Sequence, residues 1–177
     1  MTDAQPTERE DWTDRHVARW RDHWIDVAFD DEVEAIVVRI SRLRQHFKLT
    51  TQRALVEVGL QDFEYETLHH LMIRDTPGYA SPSALATSLG ISNAGMTGRL
   101  DSLEKAGWIQ RSTDPDDRRR VSIEVTRTGA AIWRRAMDLR GRAEDEVVNA
   151  LDGDERATLA ALLKKMTLVT EADDGPV

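Results

Sequence analysis

SPSALATSLG-ISNAGMTGRL-DSLEKAGWIQ-RSTDPDDRRR-VSIEV, residues 81–125, is the stretch that decides the fold. Ser81-Pro82 sets a capping hydroxyl and then a proline at the start of a short helix that carries Leu85 and Leu89. Gly90 ends that helix, Ile91 can be buried, and Ser92 caps the next one, which carries Met96, Leu100 and Leu103 as far as Gly107. Two helices joined by so tight a glycine turn read as a helix-turn-helix. After Gly107 the hydrophobic period changes. Trp108-Ile109-Gln110-Arg111-Ser112 and Val121-Ser122-Ile123-Glu124-Val125 alternate apolar with polar, and Asp114-Pro115-Asp116-Asp117-Arg118-Arg119-Arg120 between them is a turn-forming basic loop. This predicts a β-hairpin, and a helix-turn-helix followed directly by such a hairpin is a winged helix.

Outward from this centre the pattern is helical on both sides. Asp11 and Asp14 precede a first helix rich in Trp and Arg (Trp12, Trp20, Trp24), expected to last to about Val27. Val33, Ile36, Val37, Ile40, Leu43 and Phe47 recur at three- and four-residue steps, one apolar stripe on a long helix that Gly59 stops. Phe63, Leu68, Leu71 and Met72 belong to a third helix after Gln61-Asp62, and Thr76-Pro77-Gly78 breaks it. Past the hairpin, one helix is expected from about Thr128 to Ala150. Another begins at Leu151-Asp152-Gly153-Asp154-Glu155, where Asp152 and Glu155 have capping-box spacing. The expected fold class is mainly α with a small β-hairpin wing. The expected domains are an extra N-terminal helix and a first dimerisation helix (1–58), a winged helix-turn-helix (59–127) and C-terminal dimerisation helices (128–177). No internal repeat, low-complexity tract or linker interrupts them.

The 177 residues suit one ordinary domain, and 32% charged residues with a mean hydropathy of −0.51 describe a soluble globular chain. No aliphatic run approaches the ~20 residues of a membrane span, and the acidic N-terminus has no signal-peptide pattern, so a cytoplasmic location is expected. With no cysteine there is no disulfide, thiolate zinc site or thiol switch. The formal charge of −8 is uneven: residues 1–36 sum to −7, residues 37–144 to +4 and residues 145–177 to −5. A basic centre between acidic ends fits a DNA-facing module with solvated or dimer-forming flanks.

Four segments in order, Ser92 to Leu100, Leu103 to Ile109, Asp114 to Arg119 and Val125-Thr126-Arg127-Thr128-Gly129, resemble the MarR family of bacterial transcription regulators over about residues 30–170. The resemblance implies a homodimer with intertwined terminal helices that binds a palindromic double-stranded DNA operator until a small molecule weakens the complex. A narrower likeness is to the urate-responsive branch, in which a Trp of an extra N-terminal helix, an acid of the third helix and two arginines line a ligand pocket. The matching positions are Trp20, Glu66 (where the branch has Asp), Arg99 and Arg111. The implied effector is a small anion: urate, another purine, or a tricarboxylate such as trans-aconitate or citrate, to which related actinomycete regulators answer.

The recognition helix supports this reading on its own residues. At about 100° per residue, Met96, Leu100 and Leu103 share one face, while Ala94, Gly98, Asp101 and Lys105 lie opposite with Thr97 and Ser102 beside them. A merely solvated face would favour Glu and Lys, whereas small side chains let a helix backbone approach base edges in the major groove. The expected DNA contacts are therefore Ser92, Asn93, Ala94, Thr97, Gly98 and Ser102, with Asp101 at the rim or paired with an arginine. Arg99 falls about 70° from the apolar centre, on the flank, where it is an anion clamp or a salt-bridging arginine; Arg111 has the same two readings, and Glu66 is a pocket acid or a surface carboxylate. Arg118, Arg119 and Arg120 crowd like charges at the hairpin tip, which Asp114, Asp116 and Asp117 compensate in part. The resemblance assigns Asp117 to bracing the wing and Arg119 with its neighbours to the minor groove.

Trp12 and Trp24 read as core or dimer anchors. His69 and His70 point in different directions on their helix, so no metal site is expected. No phosphate loop or nucleophile motif occurs, so neither an enzyme nor a cofactor is expected. Two functions follow: a ligand-responsive dimeric repressor, and a winged-helix protein-interaction module whose acidic ends bind a basic partner. Arginines at the wing tip favour the first.

Overall fold

The computed structural model describes residues 9–21, 23, 30–113 and 121–174, which form two compact units, 1–50 and 51–177. In the first unit Asp11 and Asp14 cap helix α1 (Trp12–Arg21) reciprocally, each backbone N–H donating to the other's carboxylate at 2.9 Å. Thr13 and Val17 are its buried residues. Arg39 of helix α2 (Asp31–Val58) reaches Asp11 at 3.0 Å and Asp14 at 2.5 Å, and the Arg42 guanidinium lies 4.3 Å from the Trp12 ring centre. That pairing, led by the Arg39 hydrogen bond, holds the Asp11 carboxyl down at about 2. α1 ends six residues before the expected Val27, with His23 in a turn hydrogen-bonded to Trp20; Trp24 and Val27 lie outside the described residues.

The second unit holds the last turns of α2, then α3 (Asp62–Met72), β1 (Tyr79–Ala80), α4 (Pro82–Leu89), α5 (Asn93–Lys105), β2 (Ile109–Thr113), β3 (Val121–Val125), α6 (Arg127–Val148) and α7 (Gly153–Asp174). The caps expected from sequence are formed. Ser81 Oγ accepts from the Ala84 N–H at 3.2 Å, Ser92 Oγ from Gly95 at 3.1 Å, and Asp152 and Glu155 accept from each other's N–H at 2.9 Å. Gly90, with φ +63°, closes α4 so that α5 turns back across it. Leu68 and Leu71 of α3, Leu85 of α4, Met96, Leu100 and Leu103 of α5 and Ile123 of β3 make one apolar core. Among the described residues, no helix is long and apolar enough to cross a membrane.

The sheet has one strand more than the hairpin. β1 pairs antiparallel with β3 (Tyr79 opposite Glu124, Ala80 opposite Ile123), and β3 pairs with β2 (Arg111 opposite Ile123), giving the order β1-β3-β2. Two residues are too few to display alternation, so only the break at Thr76-Pro77-Gly78 was visible. Gly78 makes the strand possible: at φ +81° its N–H donates to Leu71 O at 2.9 Å and its carbonyl accepts from Val125 at 2.8 Å, while a Cβ there would stand 2.7 Å from Val125 Cγ1.

α6 packs on α3 through a polar strip. Trp133 Nε1 donates to His69 Nδ1 at 3.3 Å, His69 stacks on Tyr65, and the Tyr65 hydroxyl accepts from Arg140 and donates to Met137 Sδ, both at 3.2 Å. Burial first, then the charges of Arg140 and His70, lowers the His69 pKa below its ordinary value. A lowered pKa means that the folded chain resists a proton the unfolded chain accepts, so stability is present above about pH 6.5 and is lost as pH falls below it. Replacing His69 with Gln should therefore flatten the fall in Tm between about pH 7.5 and 5.5. An unchanged pH profile would show that this contact does not govern it.

Candidate nucleic-acid interface

Met96, Leu100 and Leu103 are buried to 2% exposure or less, which fixes the opposite face of α5 outward. Ser92, Asn93, Ala94, Thr97 and Gly98 are all exposed along it, the Thr97 hydroxyl folded back onto Asn93 O at 3.0 Å. A Cβ at Gly98 would meet nothing within 4 Å, so this part of the helix is bare backbone. Ser102 lies on the flank of this face, about 40° around the helix from Gly98. Half-buried, its hydroxyl donates to Glu64 of α3 at 2.8 Å. Arg118, Arg119, Arg120 and Asp117 of the wing, with Asp114 and Asp116, lie outside the described residues.

Three of the four expected ligand positions belong to this unit, and each arginine is tied to a carboxylate. Arg99 donates to Glu66 at 2.6 Å and lies over the Phe63 ring. Arg111 donates to Asp101 at 2.6 Å and has Glu104 at 3.6 Å; Glu104 also accepts from the Arg111 N–H at 3.2 Å. Asp101 thus has its arginine. Trp20, in the N-terminal unit, donates from Nε1 to His16 Nδ1 at 3.0 Å. The ion pairs join α5 to α3 on one side and to β2 on the other. Their carboxylates are 41 to 59% exposed, so water screens each pair and holds its worth to about 0–1 kcal/mol. Such a pair orients a side chain yet yields readily to a competing anion.

Sequence reasoning missed two members of this arrangement. Glu104 was not marked as a second acceptor for Arg111, although its spacing of three from Asp101 sets both acids on adjacent turns. Glu64 was also missed. It is 5% exposed, and its only local signal is the capping-box spacing to Gln61, whose N–H donates to Glu64 Oε2 at 2.9 Å.

Comparison with known proteins agrees with this geometry. Residues 65–121 match the model of the MarR family. The chain is 30% identical over 150 residues to the HTH-type transcriptional regulator PecS of Dickeya dadantii, covering 85% of this chain and 89% of that one. Among solved structures, YusO of Bacillus subtilis superposes with a TM-score of 0.70 at 18% identity, over 80% of this chain and 99% of that one, a likeness of fold. A cysteine-to-serine mutant of MarR from E. coli, complexed with operator DNA, gives 0.56 at 26% identity, over 79% of this chain and 99% of that one. The match to PecS runs through nearly nine tenths of that regulator and across the same helix-turn-helix and wing strands, so this chain belongs to the MarR family of winged-helix, DNA-binding transcription regulators.

Proposed function

We propose that the chain is a homodimeric repressor that binds an inverted-repeat operator through α5 and the wing and is released by a small anionic metabolite. The observation that carries the DNA reading is the outward face of α5, where Ser92, Asn93, Ala94, Thr97 and Gly98 offer small side chains and backbone. Arg118, Arg119 and Arg120 enter the minor groove in this reading, braced by Asp117. Residues 59–127 read DNA, and residues 1–58 and 128–177 associate the protomers. Support for association comes from apolar side chains left outside: Val33, Ile36, Val37, Ile40 and Leu43 of α2 are 37 to 56% exposed, and Leu159, Leu162, Leu163 and Met166 of α7 are 39 to 56% exposed.

The two recognition helices of a dimer should fit half-sites whose centres lie about 10 bp apart. Sedimentation should give a dimer, and a duplex from the region beside the gene should be retarded at moderate salt. Arg119→Ala should weaken binding to every sequence and reduce the salt slope by about one. A slope equal to that of the parent would remove the wing from the interface. Failure of the parent to bind any duplex would favour the protein-interaction reading.

The effector reading rests on the two paired arginines. An anion at Arg99 would displace Glu66, and an anion at Arg111 would displace Asp101 and Glu104; Trp20 is proposed as a ligand residue only by likeness to the urate-responsive branch. Urate, another purine or a tricarboxylate such as trans-aconitate or citrate has the charge for this exchange.

A further inference from the structure

Glu64 is the only charged side chain buried among the described residues, and it lies outside the face that reads DNA and outside the arginine pairs. A carboxylate is held inside a protein at a penalty of several kcal/mol unless its oxygens are satisfied. Here both are: Oε2 accepts from the Gln61 N–H at 2.9 Å, and Oε1 accepts from the Ser102 hydroxyl at 2.8 Å. Capping α3 needs only one of these oxygens, and an exposed glutamate caps as well as a buried one. The second oxygen is aimed at α5.

That second bond differs in kind from the rest of the α3–α5 contact. Leu68 and Leu71 against Met96, Leu100 and Leu103 attract without direction, and apolar surfaces of this sort tolerate small rotations. A charge-assisted hydrogen bond is short and directional. Ser102 lies one turn after Gly98, about 40° around the helix from it, so the bond sits beside the outward small-residue face. A rotation of about 20° would carry a tip ~5 Å from the helix axis through about 2 Å, enough to lose a base-edge contact.

Resting on the DNA reading above, we propose that Glu64 is a positioning residue for sequence recognition: through the Ser102 hydroxyl it sets the rotation of α5 about its own axis, and so the register of the recognition face. Ser102 in this role reads no base itself. Non-specific binding, which depends on charge and not on register, is unaffected by the pair.

The test uses the full chain and two probes: the duplex that the parent protein enriches most strongly from a random-sequence pool, and a scrambled duplex of equal length and composition. Glu64→Leu removes both acceptors while keeping the bulk of the side chain, and Ser102→Ala leaves Glu64 Oε1 without its donor, so the melting curve of each variant is recorded to separate lost stability from lost recognition. Each should lower affinity for the enriched duplex about tenfold and leave the scrambled duplex unchanged at the same salt. The double variant should be no worse than either single one, because both break the same bond. Additive losses would show that Ser102 touches DNA directly, equal losses on both duplexes would reduce Glu64 to a stability role, and unchanged discrimination would remove it from recognition; each overturns the proposal. If the parent enriches no duplex at all, the DNA reading fails first and the proposal falls with it.

Discussion

Gly129→Ala should destabilise the chain by about 3–5 kcal/mol, since its added methyl would make the closest contact found at any described glycine. A Cβ at Gly129 would stand 2.0 Å from the carbonyl oxygen of Trp108, 2.8 Å from its carbonyl carbon and 3.0 Å from its Cα. All three are backbone atoms, so no rotamer relieves the clash. The start of α6 cannot retreat cheaply either. Thr126 N–H donates to Trp108 O at 2.9 Å, its hydroxyl donates to Gly107 O at 2.7 Å, and the same hydroxyl caps α6 by accepting from the Gly129 N–H at 3.0 Å. Moving the start of α6 away from Trp108 breaks these bonds. At roughly 2–4 °C per kcal/mol for a chain of this size, Tm should fall by about 6–20 °C. Gly141 of the same helix is the control: a Cβ there meets nothing within 4 Å in the protomer, so alanine should be neutral or stabilising by up to about 1 kcal/mol. A Gly129→Ala protein that melts within a degree or two of the parent would mean that α6 does not approach Trp108 so closely.

Arg99→Ala and Arg111→Ala should each raise the anion concentration needed for half-release of DNA by tenfold or more, roughly the worth of one charge-assisted contact. Moving a population from 99% bound to 99% free takes about 5.5 kcal/mol of differential affinity, and two contacts of about 1.5–3 kcal/mol each can supply it. The displaced ion pairs offer little opposition, since each is worth about 0–1 kcal/mol at this exposure. Displacement also frees Asp101, which is exposed on α5 one residue from Leu100 and two from Arg99, to face DNA phosphate as an unneutralised charge. In the proposed reading, that repulsion then contributes to release. Because loss of either arginine can also lower DNA affinity, the titrations with urate, citrate and trans-aconitate must start from matched occupancy. Parent-like release by both variants would locate the effector elsewhere and end the urate-like reading, leaving family membership intact.

Much of the fold was legible because its signals are local. Ser81-Pro82, Gly90, Ser92 and Asp152 with Glu155 end or begin helices through atoms no more than a turn away, and the structure forms those caps where the residues stand. The buried face of α5 was equally readable, since Met96, Leu100 and Leu103 share it by helical spacing alone. Asp101 was expected either at the rim or paired with an arginine, and it pairs with Arg111.

Other features have no local signature. β1 exists because Gly78 and Val125, 47 positions apart in sequence, exchange a hydrogen bond, and its two residues carry no period of their own. Gly129 looked like one member of a Thr-Arg-Thr-Gly segment, but its need for glycine comes from the Trp108 carbonyl across the start of β2 and not from its backbone angles. Ser102 was read as facing DNA from its angular position beside Gly98. Only the approach of α3 supplies the buried carboxylate that draws its hydroxyl inward. Helical periodicity and capping act through bonds and neighbours within about four residues, so they are written in the order of the chain. Burial of Glu64, the partners of Arg99 and Arg111, and the third strand depend on which surfaces meet, and that is decided when the hydrophobic faces of α3, α5, α6 and the sheet close on one core.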